Sequence, residues 1–150
     1  MTEAAELTDA IHAQIEVLSQ EGNVLLEDDG DWRGAIAKWQ TALALVPEPK
    51  TDWSAALWLY ASIGTAWLDA PDMAQAQDAF ETAYRCPDGH LNPYVLLQLG
   101  KIYASSGSND AATKMLLRAY MLDGEAIFAE DPEQLDYLRA HVDLSRPTMN

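Results

Sequence analysis

Residues 96–120, LLQLGKIYASSGSNDAATKMLLRAY, decide the fold. Gly100 is followed by Tyr103, Ala112, Leu116 and Ala119, and 36 residues upstream Gly64 is followed by Trp67, Ala76, Phe80 and Ala83 at identical spacings. An earlier copy has Gly22, Leu25 or Leu26, Ala35, Trp39, Ala42 and Pro47, one residue longer in its inner turn. The small residues let helix backbones approach closely, and the large ones fill the space between them. Two helices alone cannot bury their apolar faces, so such a unit gains stability by stacking, with about three copies and a terminal cap.

Helical periodicity extends outward from this repeat, and no alternating strand pattern competes with it. Ala4, Leu7, Ile11, Ile15, Leu18, Gly22 and Leu25 fall on one face of a first helix that ends near Gly30. Asp31 caps a second, to about Val46, which Pro47 and Pro49 end before an extended linker. Thr51 or Asp52 caps a third from about Trp53, carrying Leu57, Tyr60, Ile63, Gly64 and Trp67, and Pro71 and Asp72 break it. A fourth covers about 73–85 before the turn Pro87-Asp88-Gly89, and Asn92 with Pro93 starts a fifth that reaches Gly107. The sixth covers Asp110 to about Leu122. Asp131, Pro132 and Gln134, at capping-box spacing, begin a last helix carrying Leu135, Leu138 and Val142, and the tail from Ser145 is expected to be loose.

The spacing resembles the tetratricopeptide repeat (TPR), in which a Leu-Gly pair precedes a tyrosine, then Ala, an aromatic and Ala in the second helix. Leu99-Gly100 and Tyr103 match directly, whereas the first copy has Glu21-Gly22. The resemblance covers roughly 12–142 and implies an all-α, TPR-like solenoid: repeats at about 12–47, 54–87 and 93–124, a cap at about 131–142, and a single domain over 1–150.

Composition narrows the function. The chain has 24 Asp and Glu against 9 Lys and Arg, a formal net charge of -15. Nucleic acid and anionic membranes are disfavoured as partners, since both require clustered cations. The N-terminus MTEAAELTDA lacks the basic and apolar regions of a signal peptide, and the longest apolar run, 55–61, is too short for a bilayer. A cytoplasmic location follows as the expectation. Cys86 is the single cysteine, so no intrachain disulfide forms, and it has no sequence-local base. His12, His90 and His141 lack ligand partners at metal-site spacing, and neither a phosphate loop nor a dinucleotide fingerprint is present. No enzyme, metal or cofactor is expected. The run Glu27-Asp28-Asp29-Gly30-Asp31 lacks the alternating ligands and closing Glu of an EF-hand. Trp39 and Trp67 occupy repeat core positions, whereas Trp32, Trp53 and Trp58 are not explained by the pattern.

Repeat solenoids bind partners on the surface made by the first helix of each pair. The repeat phase exposes Glu16, Ser19, Gln20, Asn23 and Glu27 in copy one, Trp58, Ala61, Ser62, Thr65 and Asp69 in copy two, and Tyr94, Leu97, Gln98, Lys101 and Ser105 in copy three. Chaperone-binding members of the family clamp a C-terminal carboxylate with Lys, Asn and Arg here, and only Asn23 and Lys101 fit that set. Residues 1–32 hold nine acidic side chains and no Lys or Arg, which gives either a solubilising face or a docking surface for a basic protein.

The blocks VPEPKTDWSAALWLYASIGTAWL, LNPYVLLQLGKIY and LLRAYMLDGEAIFAEDPEQLDYL are similar to those of small acidic bacterial TPR-like proteins encoded beside polymorphic toxins. That resemblance implies an immunity protein that binds a basic toxin domain without turnover. The contacts it suggests are Glu27, Asp28, Asp29, Asp31, Trp58, Asp69, Tyr94 and Gln98. The alternative is a general scaffold or cochaperone that holds a peptide in its concave groove.

Overall fold

The computed structural model describes residues 7–145. Among them the regular elements are helical: α1 (Asp9–Asp29), α2 (Trp32–Ala44), α3 (Ser54–Asp69), α4 (Met73–Arg85), α5 (Pro93–Ser105), α6 (Asn109–Asp123) and α7 (Pro132–His141), with 3-10 turns at Lys50–Asp52, Gly89–Leu91 and Gly124–Phe128. Ala4 and the tail beyond Ser145, which the sequence assigns to a helix face and a loose end, lie outside the described residues. The helices gather into two compact units that divide between Gly89 and His90.

Local chemistry sets most of the boundaries. Thr8 Oγ1 accepts from Ile11 N (3.2 Å), Asp31 Oδ1 from Gly34 N (2.9 Å), Asp72 Oδ1 from Gln75 N (3.1 Å) and Asn92 Oδ1 from Val95 N (3.1 Å), so α1, α2, α4 and α5 each begin on a side-chain cap. α1 ends at Gly30, whose φ of 65° lets its N–H turn back to the carbonyls of Leu25 and Leu26. The connections α1–α2, α3–α4 and α5–α6 are two or three residues long, which makes the helices of each pair antiparallel neighbours.

In each pair a glycine seats a large side chain from the second helix. A Cβ on Gly64 would lie 2.7 Å from the Phe80 ring, one on Gly100 would lie 2.5 Å from Leu116, and one on Gly22 would meet the Trp39 indole. Trp39, Phe80 and Leu116 are at most 1% exposed. Trp39 also donates from Nε1 to the Ser19 carbonyl (3.2 Å), a polar tie between α1 and α2 inside an otherwise apolar contact. In the first unit α2 packs on α3 as well as on α1, and Trp32 tilts against Trp67 with centroids 5.6 Å apart. Trp32 therefore has a packing role that the repeat pattern does not supply.

Two starts, those of α3 and α6, and the capping of a third, α7, differ from the sequence reading. Neither Thr51 nor Asp52 caps α3: Trp53 holds the N-cap position, with its carbonyl accepting from Ala56 N (3.1 Å) and no side-chain bond. The preceding linker folds into the 3-10 turn, and Lys50 Nζ donates to the Leu43 and Val46 carbonyls (2.8 Å each), a cation closing the C-terminal end of α2. α6 begins at Asn109, with Ser108 at the N-cap position. At α7 the capping box is not made, because Asp131 turns its carboxylate to Lys101 (2.8 Å) and Gln134 Oε1 is buried without a hydrogen-bond partner.

The second unit centres on Leu97, Leu116, Phe128, Leu135 and Leu138. Leu135 and Leu138 are the expected cap residues. Phe128, 1% exposed, enters the same cluster from the 3-10 turn, a segment of only five residues in which helical periodicity cannot be read.

Candidate protein-binding surface

Four of the acidic residues singled out in the sequence, Glu27, Asp28, Asp29 and Asp31, are exposed at the α1–α2 turn. Glu27, Asp28 and Asp29 are exposed in the last turn of α1, which holds no basic residue. Among the described residues no Lys or Arg pairs with any of the three. Asp31, also exposed, commits one carboxylate oxygen to capping α2. Negative charge at a helix C-terminus opposes the macrodipole, at about 0.3–1 kcal/mol per side chain in an exposed setting. Helix stability therefore does not account for the run.

On α3, Trp58, Ser62, Thr65 and Asp69 follow one another at steps of four, three and four, one helical face spanning about 16 Å. Trp58 is 57% exposed, an unusual position for an indole without an interaction to serve, and Asp69 is exposed at the end of the stripe. Ser62 and Thr65 are half-buried, and the Thr65 hydroxyl donates to the Ala61 carbonyl (3.0 Å). Ala61, expected on the open face, is 1% exposed and belongs to the core.

The positions on α5 need the largest correction. Leu97 and Gln98 are 3% and 5% exposed rather than open to a partner, and Gln98 Oε1 has no hydrogen-bond partner. Lys101 is paired with Asp131 and ties α5 to the start of α7, so it is not a free carboxylate clamp. Tyr94 is half-buried in the first turn of α5. Trp58, Asp69 and the acidic run belong to the first unit, whereas Tyr94 and Gln98 belong to the second.

A surface that the sequence reading missed lies along α1. Ala13, Gln14, Val17, Leu18 and Glu21 line an open groove of about 550 Å³ with Thr41 and Leu45 of α2. Val17 is 57% exposed and Val24, one heptad further along, is 51% exposed. The repeat phase directs attention to the core positions and to the exposed positions Glu16, Ser19, Gln20, Asn23 and Glu27 of α1. The signal for this surface was the i, i+7 recurrence of Val17 and Val24 outside that phase.

Titratable groups add no reactive centre among the described residues. Burial pushes the Cys86 thiol up to about 11, and the neighbouring Arg85 lowers it only in part. The Sγ–H donates to the Thr82 carbonyl (3.5 Å) at a position 3% exposed, an arrangement that suits a packed thiol rather than a nucleophile. His141 stacks on Tyr137 with centroids 4.3 Å apart, and His12 and His90 are exposed. No group of three or more His, Cys, Asp or Glu among the described residues is placed to hold a metal ion. No described helix is long and apolar enough to cross a membrane.

No protein-family model matches the sequence, and no curated protein matches it significantly. Among solved structures the chain is similar to the crystal structure of MamA, with a TM-score of 0.61 and 18% identity over 87% of this chain and 77% of that one. MamA is a TPR-like protein, and at this identity the likeness speaks for fold alone. With seven α-helices among the described residues and the Gly22, Gly64 and Gly100 contacts repeating from pair to pair, the chain has an all-α, TPR-like solenoid fold.

Proposed function

We propose that residues 1–150 act as one non-catalytic protein-binding module in the cytoplasm, and more narrowly that it is an immunity protein which binds and neutralises a basic toxin domain. The observation that carries this proposal is the exposed run Glu27-Asp28-Asp29 at the C-terminal end of α1, which helix stability does not account for and which no described cation offsets. In a chain of net charge -15 such a surface attracts a cationic protein and raises its association rate. Inhibition requires only that the complex occlude the partner's working surface. The narrower identity also draws on the similarity of the Val46–Leu68, Leu91–Tyr103 and Leu116–Leu138 blocks to toxin-linked acidic proteins.

The test is a pull-down with the product of the neighbouring gene, followed by a growth-rescue assay in cells expressing that product. Binding with rescue supports the immunity function; neither binding nor rescue overturns it. Trp58 favours a second function, a scaffold or cochaperone holding a peptide along the Trp58–Asp69 face. Salt separates the two. A charge-steered domain complex loses association rate steeply as ionic strength rises, whereas an apolar peptide anchored on Trp58 binds at micromolar concentration with little salt dependence.

A further inference from the structure

We infer that the α1–α2 groove is a docking site for a cationic amphipathic helix. The starting observation is an apolar stripe on α1 that α2 does not cover. Ala10, Ala13, Val17 and Val24 recur at steps of three, four and seven, so they share one helical face, and all four are exposed. From Ala10 to Val24 the stripe runs about 21 Å, the length of a four-turn helical ligand. Beside Val17 the surface becomes concave, where Leu18 and the α2 residues Thr41 and Leu45 complete the groove. Anchors at i, i+3 or i+4, and i+7 are the spacing that an apolar helix face presents to such a groove.

Charge selects the occupant. Asp9, Glu16 and Glu27 follow along one side of the stripe, all exposed. Glu21 stands at the other edge, paired with Lys38 at 3.0 Å where both side chains are about half open to water. Asp28 closes the end beyond Val24. α1 itself contributes no Lys or Arg. A second copy of this chain, docking the same face, would bring its own Asp9, Glu16 and Glu27 against these. Like charges so placed oppose association, so self-pairing does not suit the site. A helix with Leu, Ile or Val along one face and Lys or Arg beside it satisfies the stripe and its rim together. This inference rests on the partner being cationic, though not on its being a toxin.

Full-length protein labelled for amide NMR is titrated with three synthetic peptides of about five helical turns. One has a Leu stripe with a Lys flank, one has the same composition scrambled, and one has a Leu stripe with a Glu flank. The first is expected to bind and to shift Ala13, Val17, Val24 and Leu45, with the other two weaker by roughly tenfold or more. Val17→Asn combined with Val24→Asn is expected to weaken the first peptide by a similar factor, and Trp58→Ala to change it less than about twofold. Both valines are exposed, so the thermal melt of the variant should match the wild type.

Equal binding of the scrambled peptide, unchanged affinity in the valine variant, or shifts centred on Trp58 would each overturn the inference. So would a wild-type dimer, seen by sedimentation, that the valine variant dissociates, because the occupant would then be a second copy. Failure of the immunity function is read separately, in the pull-down and rescue with the neighbouring gene product, and leaves the peptide result standing.

Discussion

Gly64→Ala tests the close helix contact on which the repeat depends. On an open helix surface this change stabilises by about 1 kcal/mol, because Ala has the higher helix propensity. At position 64 the new Cβ would sit 2.7, 2.8 and 2.9 Å from three ring carbons of Phe80. Carbon atoms rest at about 3.5–4.0 Å, so the ring or the helix must yield by roughly 0.7 Å or more. Phe80 is 0% exposed, so its ring can yield only by displacing its neighbours or by letting α3 and α4 move apart. Overpacking of this kind costs about 1–3 kcal/mol. Subtracting the propensity gain leaves a net loss of about 0–2 kcal/mol, read as a fall in Tm of about 2–4 °C per kcal/mol for a chain of this size. Thermal and urea melts followed by circular dichroism measure it. Phe80→Leu in both backgrounds then isolates the contact: the double variant should be more stable than the sum of the singles by at least about 0.5 kcal/mol. A Gly64→Ala protein that is about 1 kcal/mol more stable than wild type, with an additive cycle, would refute the close-contact account.

Neutralising the end of α1 with Glu27→Gln, Asp28→Asn and Asp29→Asn together should raise stability by about 1–3 kcal/mol at low salt, as the sum of dipole effects, with the gain shrinking as salt is added; unchanged or lowered stability in urea melts counts against the placement of the charges. Lys50→Met should lower stability by about 1–2 kcal/mol through loss of two charge-assisted bonds to the α2 carbonyls, and hydrogen exchange should report faster opening at the end of α2. Cys86 should resist a thiol reagent at pH 8 in the folded protein and react promptly in denaturant. Because its folded pKa of about 11 lies above the usual 9, the stability contributed by the neutral thiol is complete below pH 9 and is lost as pH rises towards 11. Cys86→Ala should remove that part of the alkaline slope in a pH series of melts.

Caps and periodicities were legible because they depend on residues at most four or five positions apart. Asp31 and Asn92 each bond to an amide three residues on, and both halves of the bond stand together in the sequence. The same reasoning placed the start of α7 at Asp131 and Pro132 but not its capping bonds, because the Asp131 carboxylate had a second claimant in Lys101, thirty positions away. It likewise assigned Gln98 and Leu97 to an open surface: repeat phase gives a side chain's direction, whereas burial depends on what stands in front of it. The groove beside Val17 was missed for the converse reason, since an apolar side chain on a helix is expected to find cover, and here none of the described elements supplies it.

The sequence by itself determined an all-helical chain, the paired helices and their spacing, the glycines at which backbones approach, and the concentration of negative charge before Arg33. All of these follow from period, propensity and composition, which act over a few residues or over the whole chain at once. Only the tertiary structure decided that Trp32 packs on Trp67, that Lys50 closes α2, that Lys101 is spent on Asp131, and that the open apolar surface lies along Val17 and Val24. Each of these depends on which of several competing partners comes within reach, and that is set by helix positions accumulated over tens of residues.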